Sequence, residues 1–237
     1  MEYKFDEKHQ ILNNFDIYGS FGKLIEINKN RNDIINSIYD NTTHGYYFVN
    51  KNGKIDIYKS IEYKSIHTFI LDDGLLIGVD NGEWGGKLIY KNLGLYSNSN
   101  NDELILDKNV QFIFKHNNKI MILSGLSHIM TNYGNLYELD YNKDYKDFNI
   151  KNKIELGSMP AAYTIQNNKI YVTTLRSLII INNGKIENKF KYDDWFFLYP
   201  NSIYVNKDEI IMGTEGCIMI FNIKLNDYKL YKIKYGT

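Results

Sequence analysis

Short apolar runs recur along this chain at intervals of about 45, 50 and 40 residues, the range of a structural repeat that stacks against its neighbours. The runs are Leu75-Leu76-Ile77-Gly78-Val79, Ile120-Met121-Ile122-Leu123, Ile170-Tyr171-Val172 and Ile210-Ile211-Met212-Gly213. Each has another short strand and a tight polar turn before it. Each is followed by a polar or glycine-containing loop, a third strand, a turn and a fourth strand.

The repeat around Ile170 displays the unit most plainly. Ala162-Tyr163-Thr164-Ile165 reads as an inner strand, Gln166 to Lys169 as a turn, and Ile170 to Thr173 as the second strand. Ser177 to Ile181 is the third. Asn182-Asn183-Gly184 signals a hairpin, because Asn and Gly tolerate positive φ. Lys185 to Phe190 alternates as an outer strand should. The following repeat matches it through Ser202–Val205, Ile210–Met212, Ile218–Phe221 and Tyr228–Ile233. The two preceding repeats match through Val110–Phe114 and Thr68–Leu71 as their inner strands. The first ~60 residues are less regular, but Gly45–Val49 and Gly53–Tyr58 read as a hairpin.

One such four-stranded sheet cannot bury both faces alone, and stacking sheets around an axis buries them. The expected fold is therefore all-β: a β-propeller of about five four-stranded blades in a single domain, at residues 15–62, 65–107, 108–153, 160–192 and 198–237. Six blades would require residues 1–60 to supply two. A β-sandwich needs no period near 45. Arg31–Tyr39 reads as a short helix or an irregular strand. Two prolines in the whole chain suit continuous strand pairing, and 21 Tyr with 12 Phe suit pleated, half-buried surfaces. The abundance of Asn, Lys, Ile and Tyr reads as codon usage in an AT-rich gene.

Charge and cysteine content narrow the function classes. Lys plus Arg and Asp plus Glu both number 28, so neither the basic excess nor the basic stripe of a nucleic-acid binder is present. Cys217 is the sole cysteine, which rules out an intrachain disulfide and suits a reducing compartment. Its neighbours make it a small buried strand residue rather than a nucleophile. No signal-peptide pattern and no membrane-length apolar run is found, so a monomeric cytoplasmic protein is expected.

Catalytic and metal motifs were sought without success. None of the five histidines has the helical metal-pair spacing, and neither a Walker loop nor a nucleophile elbow is present. Asp72-Asp73-Gly74 is best explained as a turn. No catalytic residue, metal or cofactor is expected.

Antiparallel order within a blade places the second-to-third strand loops and the inter-blade connections on one face. That face should carry Asp80, Asn81, Glu83 and Trp84, then Ser127, His128 and Asn132, then Arg176 and Glu215. The connections add Met159, Pro160, Asp193, Asp194, Trp195 and Phe196. Asp80, Glu83, Trp84, His128, Arg176, Asp193, Asp194, Trp195, Phe196 and Glu215 are the candidate partner-binding residues. Aromatic and Arg anchors with polar surroundings suit a protein interface, and an acidic rim would steer a basic partner. Trp84 and Trp195 could instead plug blade junctions, and sequence leaves that choice open.

The stretch from Leu71 to Leu88, Leu-Asp-Asp-Gly-Leu-Leu-Ile-Gly-Val-Asp-Asn-Gly-Glu-Trp-Gly-Gly-Lys-Leu, resembles a segment of small bacterial propeller-like proteins. Some of these resemble immunity proteins of contact-dependent growth inhibition and related polymorphic-toxin systems. The resemblance implies a cytoplasmic protein that neutralises one cognate toxin domain, for instance an RNase of the EndoU type, by occluding its active or substrate-binding surface. Two alternatives stay open. One is a lactonase-like or glycan-processing propeller enzyme with a central-channel site. The other is a general protein-interaction scaffold.

Overall fold

Most of the described residues lie in antiparallel strands, with central strands such as those at Lys169–Thr174 and Ser177–Asn182 buried along nearly their whole length. The computed structural model describes residues 15–17, 20–27, 29, 31–38, 46–58, 65–93, 102–142, 144, 147–191 and 193–235. In chain order, β1 (Phe15–Ile17) and β2 (Ser20–Ile27) precede helix α1 (Arg31–Ile38) and the hairpin β3 (Tyr46–Val49) and β4 (Ile55–Tyr58). Four four-stranded units follow, here numbered II to V. Sheet II comprises β5 (Ile66–Ile70), β6 (Gly74–Asp80), β7 (Gly86–Asn92) and β8 (Glu103–Leu106). Sheet III comprises β9 (Val110–His116), β10 (Lys119–His128), β11 (Thr131–Asn142) and β12 (Asp147–Glu155). Sheet IV comprises β13 (Pro160–Gln166), β14 (Lys169–Thr174), β15 (Ser177–Asn182) and β16 (Lys185–Lys191). Sheet V comprises β17 (Ser202–Asn206), β18 (Glu209–Gly213), β19 (Ile218–Asn222) and β20 (Asp227–Tyr235).

The result is an all-β chain of small up-and-down sheets in propeller-like succession. It departs from expectation at the N-terminal end. Residues 15–27 do not form part of a first four-stranded repeat spanning 15–62. Instead, β2 pairs antiparallel with β20 and β1 pairs with β2, so sheet V has six strands in the order β1-β2-β20-β19-β18-β17. The edge of β20 is thereby covered, and an uncovered edge is a template for unwanted pairing. Among the described residues the first unit keeps only the hairpin β3–β4. The segment from Arg31 is helical, and its Ile34 is buried beside Trp195 and Leu198.

The core is divided among the seams between units. One cluster joins Leu76 and Leu88 of sheet II to Ile122 and Leu139 of sheet III. A second joins Leu123 and Leu136 to Val172 and Ile179 of sheet IV. A third joins Leu178 and Ile180 to Met212, Met219 and Phe221 of sheet V. A fourth joins Ile211, Ile218 and Ile220 of sheet V to Tyr47, Val49, Ile55 and Ile57 of the hairpin. Each sheet therefore buries its faces against the next one, as the repeat argument requires.

Two glycines show how the seams are made. A Cβ on Gly78 would lie 2.4 Å from Val110 Cγ1, at the first residue of β9. A Cβ on Gly213 would lie 2.1 Å from the Tyr47 carbonyl oxygen of β3. Both glycines occupy corresponding places near the ends of second strands. Thus β3 sits on β18 as β9 sits on β6, although β3 comes first in the chain. The Tyr47 amide also donates to the Thr214 carbonyl at 2.9 Å, and the Val49 amide donates to Ser202 Oγ at 2.8 Å.

Asn earns a conformational explanation beyond codon usage. Asn117-Asn118 and Asn167-Asn168 form the tight turns after β9 and β13, with φ of 49° and 60° in one and 49° and 62° in the other. Asn183-Gly184 turns the chain between β15 and β16 at φ 47° and 72°. Two successive positive φ values match the twist of a two-residue hairpin, and Asn tolerates them best among residues with a side chain.

Candidate functional site

Residues of the β10–β11 and β14–β15 turns come together with residues of the β12–β13 and β16–β17 connections. They line a cavity of about 750 Å³. Every unit contributes to its wall: Phe48 from the hairpin, His67 from sheet II, Gln111 from sheet III, Ala161 from sheet IV and Asn201 at the entry to sheet V. The turns and connections complete it with His128, Ile129, Arg176, Phe196 and Tyr199.

The turn between β6 and β7 is fixed from two sides. Asp80 Oδ1 accepts from the Gly82 amide at 2.9 Å, an Asx-type contact that shapes the 3-10 turn Gly82–Trp84. Asp80 Oδ2 accepts from Gln111 Nε2 at 2.6 Å, and the same amide also donates to the Gly125 carbonyl at 3.1 Å. Asn109 Nδ2 donates to the Gly82 carbonyl at 2.7 Å. Asp80 is therefore a structural ligand of this turn rather than a free acid on the rim.

At the apex of the same turn, Glu83 Oε2 lies 3.1 Å from His128 Nε2, which ties sheet II to the β10–β11 turn. Trp84 and Ile129 flank this pair. Trp84 is 85% exposed, Ile129 89% and Met130 94%. Such neighbouring apolar exposure on adjoining turns is uncommon on a surface that meets only water. Ile129 has φ 42°, a genuine outlier for a β-branched residue, and Tyr199 has φ 42° as well. Both line the cavity, and strained backbone concentrates where a surface has a task.

The β14–β15 turn presents Arg176. Thr174 Oγ1 accepts from the amides of Arg176 at 3.2 Å and Ser177 at 2.9 Å, which sets the turn. The Arg176 guanidinium carbon stands 5.1 Å from the centre of the Phe196 ring. Thr174 Oγ1 also donates to the Ser177 carbonyl at 3.2 Å, and Thr214 repeats that bond in sheet V, donating to the Cys217 carbonyl at 2.7 Å. Sequence registers the equivalence as Thr174-Leu175-Arg176-Ser177 beside Thr214-Glu215-Gly216-Cys217.

Two candidate residues depart from the expected rim. Trp195 is 1% exposed. Its ring meets Phe221 and Tyr228 edge-on at 6.0 and 5.8 Å, so it plugs the junction of sheets IV and V and is not a contact residue. Glu215 lies half-buried at the seam with the hairpin. Its amide donates to the Leu198 carbonyl at 2.9 Å and it bridges Tyr46, so it stands apart from the cavity. Asp193 and Asp194 begin the 3-10 turn Asp193–Phe197, but their side chains lie outside the described residues.

Among the described residues no Asp or Glu lines the cavity, and its charged or titratable members are Arg176, His67, His128 and Tyr199. No described group of three or more His, Cys, Asp or Glu side chains has an arrangement that could hold a metal ion. No described helix is long and apolar enough to cross a membrane. Burial pushes the Cys217 thiol up to about 12, far from the range of a reactive thiolate.

Sequence reading found Ser127, His128, Asn132, Met159, Pro160, Arg176 and Phe196, all of which line the cavity. It missed Phe48, in β3, and His67, Gln111 and Asn201, which lie in or beside the opening residues of first strands. It also missed Ile129 and Met130. The available signal for these two was an apolar pair interrupting a polar turn between β10 and β11.

No family model matches the chain, and no curated protein does. Among solved structures, apo AztD from Citrobacter koseri is similar over 70% of this chain at 13% identity and TM-score 0.39. The extracellular domain of the putative hybrid two-component system BT4673 from B. thetaiotaomicron is similar over 82% at 12% identity and TM-score 0.43. The computationally designed Ika8 protein is similar over 75% at 11% identity and TM-score 0.39. This chain spans 48%, 29% and 55% of their respective lengths. Likenesses this distant assign neither a fold family nor a function.

Proposed function

We propose that this chain is a closed five-unit β-propeller that works as a protein-binding module, gripping its partner with the face around the cavity mouth. The seating of β3 on β18, in the manner of β9 on β6, supports closure of the ring through the hairpin. The observation that carries the binding reading is the exposure of Trp84, Ile129 and Met130 on adjoining turns of one face. Large apolar side chains held there are ready-made anchors for a partner surface. Arg176 and the Glu83–His128 pair supply polar surroundings.

The partner class follows from the sequence resemblance to immunity proteins: a cognate toxin domain, blocked in the cytoplasm by occlusion of its active or substrate-binding surface. Binding then rests on apolar anchors, with Asp80 engaged in its own turn and Glu83 paired with His128. Co-expression with the product of the reading frame immediately upstream tests the reading. A stable complex that suppresses that product's toxicity is expected. A toxic product left unbound and uninhibited overturns it.

A further inference from the structure

We propose that the cavity at the centre of the five units is itself a binding site, and that it takes a carboxylate carried on an apolar body, with Arg176 as the anion anchor. This goes beyond the docking face and does not depend on it.

The walls set the chemistry. Phe48, Phe112, Met159, Leu175 and Phe196 give an apolar lining, and about 750 Å³ lies within the range of cavities that enclose small organic ligands. An amine has no described carboxylate to meet there. Arg176 has the opposite character. Its backbone is fixed by Thr174, its guanidinium stands over Phe196, and no described carboxylate pairs with it. A guanidinium against apolar walls is suited to a planar carboxylate, which it can hold through two parallel hydrogen bonds.

Asn132 adds a donor, whereas the Asn201 amide nitrogen is closed off from the cavity. Asn132 Oδ1 already accepts from Ser158 Oγ at 3.1 Å and from the Met159 amide at 3.0 Å. That assignment leaves its NH₂ group as the available donor. Asn201 Oδ1 accepts from Ser202 Oγ at 2.9 Å, while its Nδ2 is buried with no partner among the described residues. Gln111, by contrast, has its NH₂ committed to Asp80 and Gly125.

The same chemistry is available from two sources, a free organic acid or the C-terminal carboxylate of a peptide ending in an apolar residue. The test uses the full chain and isothermal titration with 4-phenylbutyrate, 4-phenylbutylamine and 4-phenylbutanol. A hexapeptide ending in Phe, with a free or an amidated C-terminus, forms the second arm. The acid should bind at least about tenfold more tightly than the amine or the alcohol, as expected for a charge-assisted hydrogen bond. Arg176→Gln should reduce acid binding about tenfold or more without shifting Tm, and Arg176→Lys should retain part of it. Tighter binding by the free-terminus peptide than by 4-phenylbutyrate assigns the site to protein termini. Binding of 4-phenylbutyrate alone assigns it to small acids. Equal binding of amine and acid, undiminished acid binding by Arg176→Gln, or saturation by none of the probes would overturn the proposal.

Discussion

Gln111 Nε2 donates to Asp80 Oδ2 at 2.6 Å, joining the first strand of sheet III to the β6–β7 turn of sheet II. The bond is partly buried and involves a carboxylate acceptor, so it outranks the nearby contact between Glu83 and His128, whose side chains are both nearly half exposed. Asp80→Ala should cost about 1–3 kcal/mol, because it strands the Gln111 amide and frees the Gly82 amide. Glu83→Gln should cost about 1 kcal/mol or less. Chemical denaturation of both variants checks the order, and a larger loss for Glu83→Gln would reverse it.

The two tryptophans should separate just as sharply. Trp195→Ala removes a ring packed against Phe221 and Tyr228 and should cost about 3–5 kcal/mol. Trp84→Ala changes an exposed side chain and should stay within about 0.5 kcal/mol of wild type. Thermal unfolding distinguishes them directly. A destabilised Trp84→Ala would mean that this ring also closes a seam.

Gly213 reports on the join between sheet V and the hairpin. A methyl group there would press on the Tyr47 carbonyl, so Gly213→Ala should destabilise by about 1–3 kcal/mol. The damage should be local first. Hydrogen exchange of the Tyr47 amide, which bonds to the Thr214 carbonyl, should accelerate before that of Ile122 in sheet III. Uniform acceleration across all units would contradict a separate join at this position.

High pH should weaken the fold, and Cys217 and Tyr231 are among the groups responsible. Burial raises the Cys217 thiol from its ordinary 9.0 to about 12 and, with lesser help from Glu26 and Glu209, raises the Tyr231 hydroxyl from 10.0 to about 12. Above pH 9 the unfolded chain loses these protons while the native chain keeps them. Stability is therefore full below about pH 9 and falls as pH rises toward 12. Urea midpoints between pH 8 and pH 11 should decline, and iodoacetamide should label Cys217 only after unfolding. Rapid labelling of the native protein at pH 8 would contradict this burial.

Much of the repeat was legible because it lies in local pattern. Ile170–Val172 and Ile210–Met212 show as apolar runs, and Asn183-Gly184 announces its turn through residue chemistry alone. The destination of β2 was not legible, since pairing between Ile25 and Lys232 joins opposite ends of the sequence and no local pattern encodes it. The candidate face was half legible. Strand order predicts which turns share it, which is how His128, Arg176 and Phe196 were found. Sequence gives no means of telling an exposed Trp84 from a buried Trp195, because that depends on which neighbouring sheet presents an opening. Phe48 and His67 escaped notice because cavity lining depends on how the units come together.

The central claim is that the turns carrying Trp84, Ile129 and Met130 are the working surface. Titration calorimetry of the upstream gene product against wild type, Trp84→Ala and Leu225→Ala tests it most directly. Leu225 is also exposed but lies in the β19–β20 turn on the opposite face. Trp84→Ala should weaken binding by about tenfold or more, as loss of an interface anchor does, while Leu225→Ala binds like wild type. Equal affinities for wild type and Trp84→Ala, or a loss confined to Leu225→Ala, would contradict the account.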